Sequence, residues 1–399
     1  MLSERQETVS KVRLDSWKSI AEHLKRSPRT VQRWHTDFGL PVHHFGGSKG
    51  PVFAFSEELD SWLSGFIETP GHDQAGIDGP LEARKRESQA LTVEAGEVWE
   101  LRSEENLASI AALYRRAIDL DPGNAPAFIG LSNSIVLAAL VGVMRCAAAY
   151  PRATEALKRA IRAEFEPAET RCAAAWLQMV HEREWRPARD GFGEVLKLQP
   201  QSSQALAGRA LLYVAEGKLP QAARCLEDAW RQNTFASVLT SYRCWVEYLA
   251  GNYDQALELA AQARASGDNG SVNAAIEAMA LIHTGPVAPR LKQIEVSVRS
   301  FPECLLLQGA LGYAYAISDQ TGKAWETIQN LKRMKGDCAY PVALVLMGLD
   351  ERPQAITSLE ASYAEGSLWS LGFRADPILR PLSDNPRFES LLRKMNPQG

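Results

Sequence analysis

The residues with the most to offer chemically lie near the start of the chain. Arg29, Thr30, Gln32, Arg33 and His35 fall on the polar side of a short helical pattern whose other side carries Val31, Trp34 and Phe38. Arginine can donate two hydrogen bonds to the edge of guanine, and glutamine pairs with adenine. Such a helix therefore has the side chains to read base edges in a major groove. Lys25 and Arg26 precede it and extend its positive charge. Residues 11–49 carry eight basic residues against three acidic ones, although the whole chain has a net charge of −4. A basic front on an acidic remainder points to divided labour.

Elsewhere the titratable residues form no catalytic set. There is no Gly-rich phosphate loop, no H-E-x-x-H and no G-x-S-x-G, so neither an enzyme activity nor a cofactor is expected. His43 and His44 are adjacent in an extended stretch and point to opposite faces. His23 and His35 lack a ligand-type partner one helical turn away, so no metal site is expected. Six cysteines are scattered without a C-x-x-C pair. This argues against a zinc site or a disulfide framework and fits buried thiols in a reducing cytoplasm. The first fifteen residues show no apolar signal segment. The longest apolar run, 135–144, is about half of what a membrane span needs.

Local signals divide the chain. Apolar residues make up 45% of it and charged residues 23%, which excludes a disordered chain and suits a folded one. Asp15 and Ser16 can cap a helix over 17–24. Ser27 as N-cap and Pro28 at the first helical position start a second helix, which runs to Phe38 and stops at Gly39. Residues 42–45 and 52–55 read as strands flanking GGSKGP, a hairpin with Lys49 near its tip. Ser56-Glu57-Glu58 opens a third helix. Residues 68–80 hold three Gly, two Pro and no Lys or Arg, and read as a flexible linker. The expected domains are 12–66, a linker over 67–82, and 83–399.

The order of helix, helix, Gly-Leu-Pro, Gly-containing hairpin and capped helix in SWKSIAEHLKRSPRTVQRWHTDFGLPVHHF and VFAFSEELDSWL resembles the winged helix–turn–helix of the MerR and excisionase-like DNA-binding families. The resemblance implies groove contacts from Arg29, Thr30, Gln32 and Arg33, and wing contacts from His43, His44, Ser48 and Lys49. It also implies a duplex DNA partner. The hairpin carries one basic residue where these families often carry several.

Beyond residue 83 the chain is rich in Ala and Leu with helical periodicity. Stepping by 34 from Ala188 gives Ala222, Ala256, Arg290 and Ala324. Twelve residues before these stand Trp176, Ala210, Cys244, Ala278 and Gly312, four of the five small. Five before them stand Arg183, Gly217, Gly251, Gly285 and Asp319, at the position of a turn. Small residues at this interval let paired helices cross closely. The pattern resembles the tetratricopeptide (TPR) repeat, with about eight units and a closing helix near the C-terminus.

In TPR units the first helix of each pair lines an inner groove. The resemblance therefore places Leu177, Leu211, Trp245, Met279 and Tyr313 in one groove row and Val180, Val214, Tyr248 and Ile282 in a second. Ala173, Ala207, Ser241, Ala275 and Gly309 form the floor. Such a stripe either takes an apolar or aromatic helix or peptide, or is buried by tight packing or by the chain's own terminal segments. The expected fold is mainly α: a small winged helix–turn–helix domain plus an all-α TPR-like superhelical solenoid. The expected function is a DNA-binding transcriptional regulator, possible as a homodimer, whose array binds protein or senses a signal. The alternative is a scaffold or adaptor in which the N-terminal module contacts protein.

Overall fold

Side-chain caps fix the first elements. Ser16 Oγ accepts the Ser19 N–H and opens helix α1 (Trp17–His23). Ser27 Oγ accepts the Thr30 N–H and opens α2 (Pro28–Phe38), which ends at Gly39 in the left-handed region, φ 66°. Both ends follow the rule that a helix terminus needs a side-chain acceptor in front and a residue tolerant of positive φ behind. The computed structural model describes residues 12–44, 51–67, 79–101, 106–163, 167–232, 237–268 and 270–395. It divides into two compact units, residues 1–83 and 84–399.

The first unit adds strands β1 (Arg13–Leu14), β2 (His43–His44) and β3 (Val52–Phe55) and helix α3 (Ser56–Ile67). The strands pair antiparallel in the order β1-β3-β2, with Arg13 opposite Phe55 and His43 opposite Phe53. β1 had no counterpart in the sequence reading. Ile20, Val31, Trp34, Leu40, Ala54 and Leu59 close a small core between the helices and this minimal sheet.

The second unit is a TPR-like array of eight helix pairs among the described residues. They are α4 (Gly79–Leu101) with α5 (Leu107–Leu120), α6 (Ala125–Leu140) with α7 (Cys146–Arg162), α8 (Pro167–Leu177) with α9 (Trp185–Leu198), and α10 (Ser203–Ala215) with α11 (Leu219–Gln232). Then come α12 (Ser237–Ala250) with α13 (Tyr253–Ala265), α14 (Ser271–His283) with α15 (Val287–Ser300), α16 (Leu305–Ala316) with α17 (Thr321–Arg333), and α18 (Ala339–Gly348) with α19 (Arg352–Glu365). Helices α10, α12, α14, α16 and α18 begin 34 residues apart. Helix α4 starts inside the stretch read as linker; residues 68–78 lie outside the described residues. No helix among the described residues is long and apolar enough to cross a membrane.

In the five successive pairs from α8–α9 to α16–α17 the turn holds a left-handed residue. Gly217, Gly251 and Gly285 supply it at φ 75°, 82° and 147°, and Arg183 and Asp319 at 59° and 60°. A side chain there costs about 1–2 kcal/mol, which explains glycine at three of the five. Close crossing sets a second requirement. A Cβ on Gly130 would lie 2.1 Å from the Tyr114 ring, and one on Gly208 2.3 Å from the Phe192 ring.

The array is also tied across its interior. The Asp337 carboxylate, in the turn before α18, accepts the Cys146 N–H at 2.6 Å and so caps α7 from 191 residues away. Arg145 lies 3.7 Å from the same carboxylate.

Gly208→Ala is expected to destabilise the protein by about 1–3 kcal/mol through overpacking against Phe192. Gly193→Ala, where the new Cβ meets open space, is expected to stabilise it by about 0.5–1 kcal/mol. Denaturant melts of the two variants check the opposite signs.

Candidate functional site: the inner face of the array

After α19 the chain turns at Gly366, φ 86°, and runs back along the inside of the array. Residues 366–382 form two short 3₁₀ turns, Leu368–Gly372 and Pro377–Leu382, followed by α20 (Pro386–Lys394). Leu368, Leu371, Phe373, Ile378, Leu379 and Leu382 are each at most 3% exposed. At roughly 1.5–3 kcal/mol per large apolar side chain, this insert is part of the core. The Trp369 ring meets Trp245 edge-on at 5.2 Å, and Tyr340 stacks on Phe373 at 5.7 Å. A Cβ on Gly372 would touch Trp245 and Leu249.

This settles where the predicted groove rows lie. Leu177, Val180, Leu211, Val214, Trp245, Tyr248, Met279 and Ile282 are all buried, none more than 5% exposed, and Tyr313 is half-buried. They do not form an open groove, because a stripe so apolar is covered by the chain's own insert and by neighbouring helices.

Polar groups fix the insert at three points. The Tyr150 hydroxyl donates to the Gly366 carbonyl at 2.9 Å. Arg183, the left-handed turn residue, sends Nη2 to Ser370 Oγ at 3.0 Å and to the Tyr363 and Ser367 carbonyls at 3.3 and 3.4 Å. Its guanidinium lies 5.0 Å from the Tyr363 ring centre, and burial pushes its pKa down. These contacts offset the strain of arginine at positive φ. Third, Asp376 accepts from the hydroxyls of Tyr340 and Tyr248.

Two adjoining cavities lie apart from the insert, with none of its residues in their lining. Trp99, Val136, Leu137, Trp176 and Tyr242, from α4, α6, α8 and α12, line an apolar slot. Beside it is a polar cavity of about 420 Å³ bordered by Thr92, Gln199, Gln201 and Ser202. Trp99, Asn133 and Gln204 line both. Glu169 is the one charged residue among the described lining residues. The arrangement suits a polypeptide with one large apolar anchor and an amide backbone to be hydrogen-bonded. Among the described lining residues there is no cation to hold a terminal carboxylate. In sequence, Trp176 was the only large residue in a column of small ones, and that exception was the available signal for this slot. Trp99 and Tyr242 gave none.

In the first unit, Lys25, Arg26, Gln32 and Arg33 are exposed, and Thr30 is half-buried in the cap of α2, its Oγ1 2.8 Å from Ser27 Oγ. Arg29 lies in the first turn of α2; its side chain, with Ser48 and Lys49, lies outside the described residues. The three histidines read as DNA contacts have partners within the unit. His35 Nδ1 is 2.9 Å from the Leu40 carbonyl, and its ring packs on Trp17 and His44. His43 Nε2 is 2.6 Å from the Glu58 carboxylate and its ring packs on Phe53. His35 and His44 are half-buried, and His43 is exposed beside Glu58. Among the described residues no cluster of His, Cys, Asp and Glu could hold a metal ion.

No protein-family model matches the chain, and no curated protein matches it. Solved structures do. The chain is similar to a chain in the crystal structure of the APC/C hetero-tetramer Cut9–Hcn1, with 14% identity and a TM-score of 0.50. That match covers 85% of this chain but 59% of the other, so the chain spans little more than half of its length. Yeast Tom70 matches at 14% identity and TM-score 0.41, over 84% of this chain and 81% of the other. A tetratricopeptide repeat protein from Parabacteroides merdae matches at 13% identity and TM-score 0.33, over 78% and 99%. At these identities the likeness is one of fold alone: a TPR-like helical array. None of these matches bears on the winged helix–turn–helix reading of residues 12–66.

Phe373→Ala is expected to cost about 3–5 kcal/mol and to raise the binding of a hydrophobic dye. A denaturant melt and dye fluorescence check it.

Proposed function

We propose that this protein is a TPR-type interaction scaffold whose partner site is the slot at Trp99, Trp176 and Tyr242. The observation that carries this reading is the pairing of an aromatic slot with an amide and hydroxyl shelf whose one charged lining residue is Glu169, on a stretch of the array that no residue of the insert lines. Binding there is polypeptide recognition: one apolar side chain enters the slot, and Asn133 and Gln204 hydrogen-bond the backbone beside it. Selection from a random peptide library on the full-length protein tests it. The selected peptides should share one large apolar anchor and avoid acidic residues near it. Gln204→Arg, which places a bulky cation at the junction of slot and shelf, should weaken a selected peptide at least tenfold (about 1.4 kcal/mol). Peptides with no common anchor, or equal binding by the variant, would refute the site.

A second reading is supported by the exposed Lys25, Arg26, Gln32 and Arg33, clustered at and beyond the start of α2 over a closed core. In it, residues 12–66 act as a winged helix–turn–helix that holds duplex DNA, and the chain is a transcriptional regulator that pairs with a second copy to span two half-sites. Replacing Lys25 and Arg26 with Ala should lower the dependence of log affinity on log salt by about one per lost phosphate contact. Arg33→Ala should also relax sequence preference. Binding titrations at two salt concentrations decide the matter. If the unaltered protein does not bind duplex DNA at low salt, this face belongs to a protein contact instead.

A further inference from the structure

The insert rests on a carboxylate that has no cation beside it. Asp376 is 2% exposed. Its oxygens accept from Tyr340 Oη, from Tyr248 Oη at 3.3 Å and from the Ile378 N–H at 2.9 Å. No Lys, Arg or His among the described residues makes an ion pair with it. The titratable groups facing it are Tyr248 from α12, Tyr253 from α13, Tyr313 from α16 and Tyr340 from α18. Arg380, on the insert itself, is exposed and acts at longer range, and His283 at the end of α14 faces Arg380. The site therefore surrounds a carboxyl group with phenols and apolar side chains: its three hydrogen bonds favour the anion, and its burial favours the neutral acid.

We infer that Asp376 is a proton-operated latch: protonated, it seats the insert 366–382 inside the array, and ionised, it leaves a charge in an apolar interior and loosens that insert. The proton is exchanged with solvent when the insert opens. Burial, the largest influence, pushes Asp376 up to about 6 from its ordinary 3.8, against the opposing hydrogen bonds of Tyr340, Ile378 and Tyr248. A carboxyl group raised in the folded state contributes stability that is complete below its unfolded value and is lost as pH rises through its folded value. The equilibrium for opening the insert should then rise roughly tenfold between pH 5 and pH 8. Two other groups titrate nearby. Glu365, just before the insert, is raised by burial and by Asp337 and acts in the same direction. His283 is lowered by burial and by Arg380 and acts in the opposite direction. The Asp376 contribution is the part that one substitution removes.

Hydrogen exchange of the amides in residues 366–382, followed by mass spectrometry on the full-length protein and corrected for intrinsic exchange at each pH, tests the latch. The unaltered protein should show the tenfold loss of protection from pH 5 to pH 8. Asp376→Asn, which keeps one acceptor oxygen and cannot ionise, should lose that dependence. A flat profile in the unaltered protein, or the same dependence in Asp376→Asn, overturns the proposal. Tyr340→Phe guards against a variant that does not fold. It removes a donor that favours the anion, so the midpoint of the transition should move to higher pH. An unmoved midpoint also overturns the latch.

Discussion

Large apolar side chains on the inside of a curved stack of helices cannot be left facing water. Trp245, Tyr248, Leu211 and Met279 point where an open array would bind something. In this chain their burial depends in part on residues 366–382, which turn back at Gly366 and enter the stack. That need explains why an arginine holds a left-handed turn at position 183, where three later repeats have glycine. Its guanidinium reaches the insert, and glycine would not. It also explains a buried Asp with two tyrosines donating to it. The backbone of an irregular segment needs partners that helices find within themselves, and Tyr150, Arg183, Tyr340 and Tyr248 help to supply them.

Much of the architecture could be read in the sequence because it rests on local chemistry. Ser16, Ser27, Pro28 and Gly39 mark helix ends whether or not the rest of the fold is known. The 34-residue step survives because the turn column and the crossing column each impose a steric rule. Other features had no local cause. Strand β1 has two residues and exists through its pairing with β3. Whether the inner stripe is open or covered could not be read from its rows, since an apolar residue looks the same in both cases. The insert has no helical period and two prolines within its second turn, so nothing in it announces burial. Trp176 stood out as a misfit in its column, and a misfit is what a site needs there.

Three histidines of the first unit, His35, His43 and His44, teach a related lesson. Adjacent residues on a strand do face opposite ways, as His43 and His44 show, but both faces here have partners: Glu58 and Phe53 on one, His35 on the other. In so small a unit few side chains are left over for an outside ligand. Lys25, Arg26 and Arg33 are among the exposed charges of the unit.

Stacks of repeats usually behave like springs, each unit touching only its neighbours and the whole able to stretch or unwind from an end. The hydrogen bond from the start of α7 to Asp337 spans most of this stack. Repeats two through seven are therefore joined as a loop with a clasp. Their stabilities cannot simply add along the chain, and the clasp can close only after distant segments have met, which makes its closure a slow step by the loop-closure argument. A pull on the two ends would load that clasp before it lengthened the helices between.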